Sequence, residues 1–446
     1  MTLATVPRYD PEAVDRRDGR AIVVGAGVAG LFTARVLADA YSQVLLLDRD
    51  PLPAGAVDRD GVPQATQPHF LLEAGRAIAA DLYPAFTETL LAEGGLVVDW
   101  SNDLTYYDRG GVLAAGPRRF PIFAASRPHL ESVVRRLTRR RDAVVTRPST
   151  VMEGFELEGD RVTGIEAVGP DGTPERLGAD LVVDATGRRS RTPARLEAAG
   201  FDRPPRDEVE VDVLYASVVL ERPPDDRRMV VVLPSAPRTF GGGVFPVEED
   251  RWIVTMMGLH GDHPPDDRSG FLDFADRLPL DVPATILREH RWRSGIERYP
   301  FPAAQRWRYE DLETAPAGLL VVGDAMGSFN PVYGQGMSVA ALQSLQLHRL
   351  LAEGPAAPEP TRFFELAGSV LDTAWLLSVG ADFGFAATRG PRPRGTALMH
   401  RYIARTVSTA HRDGRVAERL GRVLMLVEPP RALFSPTMLA RVLRPW

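Results

Sequence analysis

Residues 21–40, AIVVGAGVAGLFTARVLADA, contain the pattern that decides the fold. The apolar run 21–24 is typical of a short buried strand, and the residues after the glycines have the apolar spacing of a helix. Between them, Gly25, Gly27 and Gly30 form a G-x-G-x-x-G turn. Glycines in this pattern permit a tight turn and bring a pyrophosphate close to the helix N-terminus. The stretch therefore predicts a dinucleotide-binding strand, turn and helix.

A second strand supports this prediction. Residues 44–47, VLLL, lead directly into Asp48. A carboxylate about twenty residues after the glycine turn is suited to accept hydrogen bonds from the ribose hydroxyls of a dinucleotide. Since NAD and FAD both use this arrangement, these residues leave the choice between them open.

A segment far downstream favours FAD. Residues 318–324, GLLVVGD, predict a strand that ends at Asp324, and NPVYGQGM at 330–337 predicts a glycine-rich loop that opens a helix. The carboxylate suits the polyol chain of a flavin cofactor, and N–H groups at the helix start can stabilise the negative charge of a reduced flavin ring. Between these regions, a third apolar run leads into Asp184 and Gly187 of the turn DATGR.

Taken in this order, the three segments resemble the FAD fingerprints of the group A flavoprotein monooxygenases, the aromatic hydroxylase superfamily. Four stretches are similar in particular to the polyene epoxidases of polyether antibiotic pathways: GVPQATQPHFLL at 61–72, SRPHLE at 126–131, DATGRRSR at 184–191 and GDAMGSFNPVYGQGMS at 323–338. The resemblance implies an α/β fold with a glutathione-reductase-like, FAD-binding Rossmann domain. It also implies an FAD that NADPH or NADH reduces and that forms a flavin C4a-hydroperoxide.

The resemblance also implies a set of residues that surround the FAD. In chain order they are Gly25, Gly27, Gly30, Asp48, Arg127, Asp184, Gly187, Asp324, Pro331, Gly334, Gly336 and Met337. The three glycines at the start would contact the pyrophosphate, Asp48 the adenosine ribose, and Arg127 the ribityl or phosphate region. Asp184 and Gly187 would lie near the pyrophosphate and the path of the nicotinamide. Asp324 would bind the ribityl chain, and the last four residues would border the isoalloxazine ring.

Two positions depart from the pattern of the family. Met326 stands where the aromatic hydroxylases usually have a histidine, and Gln67 stands where the epoxidase-like pattern often has one. The second departure leaves the role of His69 open. No catalytic side chain is identified, which suits a reaction whose chemistry the flavin performs. If the substrate were a phenol, a base would help, and His69 and Tyr215 are the two unranked candidates.

The composition excludes several kinds of chemistry. The chain of 446 residues contains no cysteine and no lysine, so all 53 basic residues are arginine. Without cysteine it has no disulfide, no thiolate nucleophile and no redox-active disulfide partner for a flavin. Without lysine, the relay of a flavin halogenase is missing. The net charge of −6 disfavours nucleic acid as a partner. We predict no metal site, because His260 and His263 lie in a polar loop without a third ligand at a suitable spacing.

The pattern divides the chain into three parts. We assign 15–75, 120–200 and 296–352 to a discontinuous FAD-binding domain, and 76–119 with 201–295 to a substrate domain. Within 201–300, extended runs alternate with polar turns, which predicts a largely antiparallel sheet. Its residues Trp252, Met256 and Met257 could line a lipophilic pocket, although core packing suits each of them better. The apolar-rich region 353–446 is expected to be helical and to cap the substrate cavity or pack on the FAD-binding domain.

These observations predict a cytoplasmic flavoprotein monooxygenase that uses O2 to epoxidise or hydroxylate a lipophilic molecule, such as a polyene, polyketide, terpenoid or aromatic compound of secondary metabolism. The residues do not distinguish epoxidation from hydroxylation, or NADPH from NADH. The main alternative is a flavin-dependent double-bond reductase of the geranylgeranyl-reductase type, and a non-enzymatic flavin-binding regulator is a third. Contact of the tail with a membrane surface is the less favoured alternative to its packing on the protein.

Overall fold

A computed structural model describes residues 1–117, 121–354, 357–393 and 395–444. The strands in chain order are β1 (Arg17–Val24), β2 (Tyr41–Leu47), β3 (Leu96–Asp99), β4 (Leu104–Asp108), β5 (Gly111–Val112), β6 (Pro121–Ala124), β7 (Val144–Arg147), β8 (Val151–Glu158), β9 (Arg161–Val168), β10 (Pro174–Gly178), β11 (Leu181–Asp184), β12 (Arg206–Glu221), β13 (Met229–Val232), β14 (Phe240–Val247), β15 (Arg251–Leu259), β16 (Glu297–Trp307), β17 (Leu319–Val321) and β18 (Gly327–Ser328).

The α-helices connect and cover these strands. In chain order they are α1 (Val28–Ala40), α2 (Glu73–Leu82), α3 (Phe86–Ala92), α4 (Arg127–Arg139), α5 (Thr192–Ala198), α6 (Arg268–Asp276), α7 (Val282–Glu289), α8 (Gly336–Ala352), α9 (Pro360–Asp382), α10 (Thr396–Ala410), α11 (Gly414–Leu424) and α12 (Pro436–Val442). Together with the sheets they confirm the predicted α/β class and the helical C-terminal region.

A five-stranded parallel sheet forms the base of the dinucleotide-binding part. Its strand order is β17-β11-β1-β2-β7, and every neighbouring pair is parallel. Strand β1 is fully buried where it enters the glycine turn, as expected for a strand with helices on both faces. Because parallel strands end at the same edge of a sheet, Gly25, Asp48, Ala185 and Val322 all follow strand ends at one edge. Ligands bind at this edge in open α/β sheets.

A larger sheet stands beside the parallel one. Its strand order is β18-β16-β12-β15-β14-β13-β4-β5, and its neighbours are antiparallel except for β13 and β4. The antiparallel arrangement predicted for 201–300 is confirmed. Strands β4 and β5 come from the segment 76–119, which the sequence assigned to the same part of the protein. The proposed division into domains stays a prediction, and its limit at 119/120 falls outside the described residues.

Two helices, α6 and α7, lie between β15 and β16, where the sequence pattern indicated polar turns. This expectation was wrong because both segments bury an apolar face. Phe271 of α6 and Leu287 of α7 are fully buried in one cluster with Trp252 of the large sheet. Asp267 caps the first of these helices with a hydrogen bond to the Gly270 N–H.

The C-terminal helices pack on both sheets. Helix α9 lies against α8, and α10, α11 and α12 enclose a second apolar cluster with β4, β13 and β14. The segment after α11 is joined to the start of the chain by two backbone hydrogen bonds of 3.0 Å, from the N–H of Leu3 to the oxygen of Leu426 and from the N–H of Ala4 to the oxygen of Val427.

Helix α9 is the one described helix that is long and apolar enough to cross a membrane by length and composition, with a mean hydropathy of 1.2 over its best window. Of that window, 61% is buried inside the protein. A core helix of this length satisfies the same criterion, and the packing of α9 on α8 is that of a core helix.

The approach of α1 to the glycine turn generates a prediction about stability. A Cβ atom at Gly30 would lie 1.7 Å from the backbone oxygen of Gly25. Since backbone cannot rotate away as a side chain does, we expect Gly30→Ala to destabilise the FAD-free protein by at least the ~1–3 kcal/mol typical of overpacking. Thermal unfolding of the FAD-free protein measures this loss. Gly380→Ala on α9 is the control, because its Cβ meets open space. Equal melting temperatures for the two variants would show that the close approach at Gly30 does not limit stability.

Candidate cofactor and substrate cavity

A single cavity of about 1200 Å³ opens at the carboxyl edge of the parallel sheet and continues beneath the large sheet. It exceeds the ~300–1,000 Å³ of common small-molecule sites. All but two of the residues that the resemblance assigned to the FAD line it, and so do both candidate bases: Gly25, Gly27, Asp48, Arg127, Gly187, Asp324, Pro331, Gly334, Gly336, Met337, His69 and Tyr215. Residues separated by more than 300 positions therefore meet in one place.

The two exceptions, Gly30 and Asp184, lie behind the cavity wall. Gly30 packs against the backbone of Gly25. Asp184 is 1% exposed, and its carboxylate accepts hydrogen bonds from the Thr186 N–H and from the hydroxyls of Thr186, Ser190 and Thr192. Its oxygens are thus used within its own loop. These hydrogen bonds let Asp184 shape the loop that brings Gly187 to the cavity. Its assignment to the cofactor stays a prediction.

The glycine turn forms a cradle at the N-terminus of α1. Gly25 has a φ of +105°, a left-handed conformation that favours glycine. Gly27 precedes α1, and a Cβ atom placed on it would meet nothing within 4 Å. The space in front of Gly27 is therefore large enough for a ligand group, and the free N–H groups of the helix favour an anion there.

Asp48 fixes the shape of this cradle. Its Oδ2 accepts a hydrogen bond of 2.6 Å from the Ala26 N–H, and its Oδ1 accepts one of 2.9 Å from the Asp50 N–H. The Arg59 guanidinium lies 3.3 Å from the same carboxylate. Each carboxylate oxygen can accept a further hydrogen bond. Asp48 is thus able to hold a ribose hydroxyl while it orients the glycine turn.

A buried ionic cluster surrounds Asp48, and the sequence pattern did not predict it. Arg59 also contacts Asp50 at 3.2 Å and Glu131 of α4 at 2.6 Å, and Glu131 contacts Arg127 at 3.3 Å. Burial, and next the charge of Asp48, raises the pKa of Asp50. Because residues 59 and 131 are distant in sequence and on different elements, no local pattern could reveal their pairing.

Asp324 presents a carboxylate to the cavity that the protein does not use. No described residue donates a hydrogen bond to it, although the side chain is largely enclosed. Burial raises the pKa of Asp324, and the positive charges of Arg127 and Arg188 act in the opposite direction. Helix α8 begins beside it at Gly336, without a side-chain cap on its free N–H groups. This place therefore offers an acceptor for hydroxyl groups next to a donor-rich helix start.

His69 faces the cavity as a neutral ring. Its Nδ1 lies 2.8 Å from the carbonyl oxygen of Gln67, so Nδ1 carries the proton and Nε2 is left as an acceptor. Burial, and next the charge of Arg127, lowers the pKa of His69 to about 3. The ring is therefore an acceptor and a weak base. Gln67 is itself fixed in the wall by hydrogen bonds with the Ser217 hydroxyl and the Glu297 carbonyl.

Tyr215, the other candidate base, holds its proton firmly. Its hydroxyl donates a hydrogen bond of 2.7 Å to Oδ1 of Asn330, and burial, with a smaller contribution from Asp382, raises its pKa well above the usual value. Of the three residues considered for a lipophilic lining, Met257 lines the cavity, whereas Trp252 and Met256 are fully buried in the core of the large sheet.

The far part of the cavity, which we call the apolar chamber, is enclosed by the large sheet and the C-terminal helices. Phe70 and Phe245 meet edge to face at 5.1 Å between ring centroids, and Trp100 stacks on Tyr106 at 5.5 Å. Its apolar lining consists of Phe70, Trp100, Leu104, Tyr106, Met229, Val231, Phe245, Leu424 and Met425. The last two residues come from the C-terminal region, which therefore forms part of the cavity wall.

The residues fit a flavin dinucleotide. The open space at Gly27 suits a pyrophosphate, and the unused carboxylate of Asp324 suits the hydroxyls of a polyol chain. Both features lie in the same cavity, which leaves the apolar chamber for a second molecule.

Comparison with known proteins agrees with this fit. Residues 18–356 match the protein-family model described as FAD binding domain. The chain is 32% identical over 426 residues to Protein Rv3254 of Mycobacterium tuberculosis, a match that covers 92% of this chain and 90% of that protein.

Solved structures resemble the fold. The p-nitrophenol 4-monooxygenase PnpA from Pseudomonas putida gives a TM-score of 0.66 at 17% identity and covers 94% of this chain and 100% of its own. A triple mutant of the flavin-dependent brominase Bmp2 gives 0.62 at 13% identity, with coverages of 92% and 95%.

Gly27 provides a test of the cradle. A methyl group in Gly27→Ala would enter the space for the pyrophosphate without touching the protein, so we expect FAD affinity to fall by about tenfold or more, or ~1.4 kcal/mol. The melting temperature of the FAD-free protein should not change. FAD titration followed by fluorescence measures the affinity. Gly295→Ala, which also places its Cβ in open space, is the control and should bind FAD as the wild type does. Equal affinity in all three proteins would show that the phosphate lies elsewhere.

Asp324 provides a second test. Loss of a charge-assisted hydrogen bond costs ~1.5–3 kcal/mol, so Asp324→Asn should weaken FAD binding roughly 10- to 100-fold. Because its folded-state pKa is raised, the carboxylate destabilises the FAD-free protein at neutral pH, and the amide should not lower its melting temperature. The exposed Asp311→Asn is the matched control. A variant that retains FAD fully would remove Asp324 from the site.

Proposed function

The chain belongs to the FAD binding domain family, and on that premise we propose that it is a flavin-dependent monooxygenase that acts on a lipophilic organic molecule. FAD, when bound and reduced by NADPH or NADH, supplies the capacity to activate O2 and to transfer one oxygen atom. The protein has to hold the cofactor, orient the substrate and exclude water.

The observation that carries the proposal is that the glycine cradle and the apolar chamber belong to one cavity. A cofactor whose pyrophosphate lies at Gly27 and whose polyol chain lies at Asp324 would direct its ring toward the loop at 330–336. The same loop borders the chamber, because a Cβ atom at Gly334 would lie 3.7 Å from the side chain of Phe70. A substrate in the chamber would therefore meet the ring in surroundings of aromatic and aliphatic side chains, which exclude water.

Residues of the chain have separate tasks in this proposal. The N-terminus of α1 binds the pyrophosphate, and Asp324 accepts hydrogen bonds from ribityl hydroxyls. The N-terminus of α8, which starts at Gly336, stabilises negative charge at the edge of the ring. His69 offers the acceptor Nε2 to a hydroxyl or N–H group of a ligand. No side chain has to act as a nucleophile.

The aromatic and aliphatic lining of the chamber supports an apolar substrate. Aromatic pairs such as Trp100 with Tyr106 bind flat or conjugated molecules well, because aromatic rings offer large apolar surfaces. Together with the resemblance to the polyene epoxidases, this favours a polyene, polyketide, terpenoid or aromatic substrate, with an epoxide or a hydroxyl group as product. The absence of lysine argues against a halogenating activity like that in the name of Bmp2.

Isotopically labelled dioxygen tests the proposal. We expect that FAD-loaded protein, supplied with NADPH or NADH and a panel of lipophilic alkenes and phenols, consumes reductant faster with its substrate than without. One labelled oxygen atom should appear in the product, as found by mass spectrometry. Protein of the Gly27→Ala variant, assayed without added FAD, is the control for cofactor dependence. A product saturated at a double bond, formed without oxygen consumption, would identify a reductase instead.

A further inference from the structure

A buried carboxyl group without a cation lies just outside the cavity. Asp382 is the last residue of α9 and is 0% exposed. Its Oδ1 accepts a hydrogen bond of 2.9 Å from the Asn330 amide and one of 3.4 Å from the Tyr333 hydroxyl. Its Oδ2 is buried and has no partner among the described residues. Sequence analysis did not single out this aspartate.

The hydrogen-bond partners of Asp382 connect it to the cavity. Asn330, Tyr333 and Tyr215 all line the cavity, whereas Asp382 does not. The Tyr215 hydroxyl donates to the Asn330 side chain, which in turn donates to Asp382. The Tyr333 hydroxyl points its proton at Asp382, so its oxygen lone pairs are free to accept from a ligand. Tyr333 therefore stands between the buried carboxyl group and the ligand space.

The surroundings disfavour a negative charge on Asp382. No described arginine or histidine forms an ion pair with it, and its place at the C-terminal end of a helix adds the negative end of the helix dipole. Burial raises its pKa to about 7, and the hydrogen bonds from Asn330 and Tyr333 limit the rise. The group therefore gains and loses a proton near neutral pH.

Other titratable and charged groups surround Asp382 and Tyr333. His260 contacts Thr388, whose hydroxyl donates to the Asp382 backbone oxygen, while His400 of α10 bonds to the Gly380 oxygen and Arg392 to the Phe383 oxygen. The groups that influence Tyr333 are Asp382, Asp108, Tyr215 and Tyr106. Burial, and next the charge of Asp382, raises the pKa of Tyr333 well above its usual value. The phenol of Tyr333 therefore keeps its proton at neutral pH.

We propose that Asp382 accepts, through Tyr333, the proton of an acidic hydroxyl group on the bound substrate. The O–H bond of the substrate breaks and its electron pair stays on the substrate oxygen. Tyr333 gains that proton as it gives its own to Oδ1 of Asp382, so two protons shift, the net transfer is one proton from the substrate to Asp382, and no electron leaves the substrate. Tyr333 is the residue that touches the substrate, and Asp382 is a positioning residue that acts through it.

This inference rests on the proposed function and narrows the substrate to a phenol or an enol. Removal of a hydroxyl proton makes such a molecule electron-rich, which favours oxygen transfer to its carbon skeleton. The relay works only while Asp382 is ionised. The value of kcat/KM should therefore rise with pH through about 7 in the wild type and lose this rise in Asp382→Asn.

Infrared difference spectroscopy on the FAD-loaded protein tests the relay without turnover. Between about pH 5 and pH 9, the wild type should lose the C=O band of a protonated carboxylic acid with a midpoint near 7. Asp382→Asn should lack this band. Tyr333→Phe should move its midpoint to higher pH, because the ionised carboxylate loses a donor. Asp372→Asn, an ion-paired position on the same helix, is the control and should keep both band and midpoint.

Thermal unfolding adds a readout that does not depend on spectroscopy. Between its ordinary pKa of 3.8 and about 7, Asp382 ionises in the unfolded chain but keeps its proton in the folded protein, so stability falls as the pH rises through this window. The difference in melting temperature between Asp382→Asn and the wild type should therefore shift in favour of the variant as the pH rises to about 7, and should stay constant above it.

The proposal is overturned if Asp382→Asn leaves every carboxyl band in place, if Tyr333→Phe leaves the midpoint unchanged, or if kcat/KM of Asp382→Asn keeps the pH profile of the wild type. The two proposals fail separately. Absence of labelled product would refute the monooxygenase but leave the band of Asp382, whereas labelled product with no such band would refute only the relay.

Discussion

The whole site depends on the close approach of helix α1 to the turn that precedes it. This approach is possible because Gly30 has no side chain where the backbone of Gly25 passes. It places the free N–H groups of α1 at the carboxyl edge of the parallel sheet, directly over the ends of β1 and β11. Asp48 then secures the turn through the Ala26 N–H. A helix N-terminus open to the cavity, a carboxylate that can accept further hydrogen bonds and the floor of the cavity follow from this single packing contact.

The second half of the cavity has a different origin. Its walls come from the large sheet and the C-terminal helices, and these are joined to the first half by the loop at 330–336. Asn330 in this loop bonds to Tyr215 of the sheet and to Asp382 of α9. A shift of the loop, the large sheet or α9 would therefore move the side chains at the place where a cofactor ring and a substrate would meet.

The sequence predicted those parts whose residues are neighbours along the chain. The β1-turn-α1-β2 unit, the strand before Asp324 and the start of α8 follow local apolar patterns, which reflect one buried face of each element. Arg59 with Glu131 and Asn330 with Asp382 were missed, because pairs formed across elements leave no periodic pattern. Helices α6 and α7 were missed because their short apolar faces, with Phe271 and Leu287, resemble turns when the sheet they cover is unknown. The hydrogen bonds of Asp184 within its own loop were also missed, because a turn sequence such as DATGR does not show which donors its carboxylate will meet.

The two hydrogen bonds from Leu3 and Ala4 to residues 426 and 427 have a consequence for biosynthesis. These segments are separated by about 420 residues, which at ~5–20 residues per second takes a ribosome roughly 20–80 s to synthesise. Until the later segment emerges, Leu424 and Met425 are missing from the wall and the apolar chamber is open to solvent or to a chaperone. The residues of the glycine turn and Asp48, by contrast, are synthesised at the start, so the chain carries them long before it can enclose a substrate.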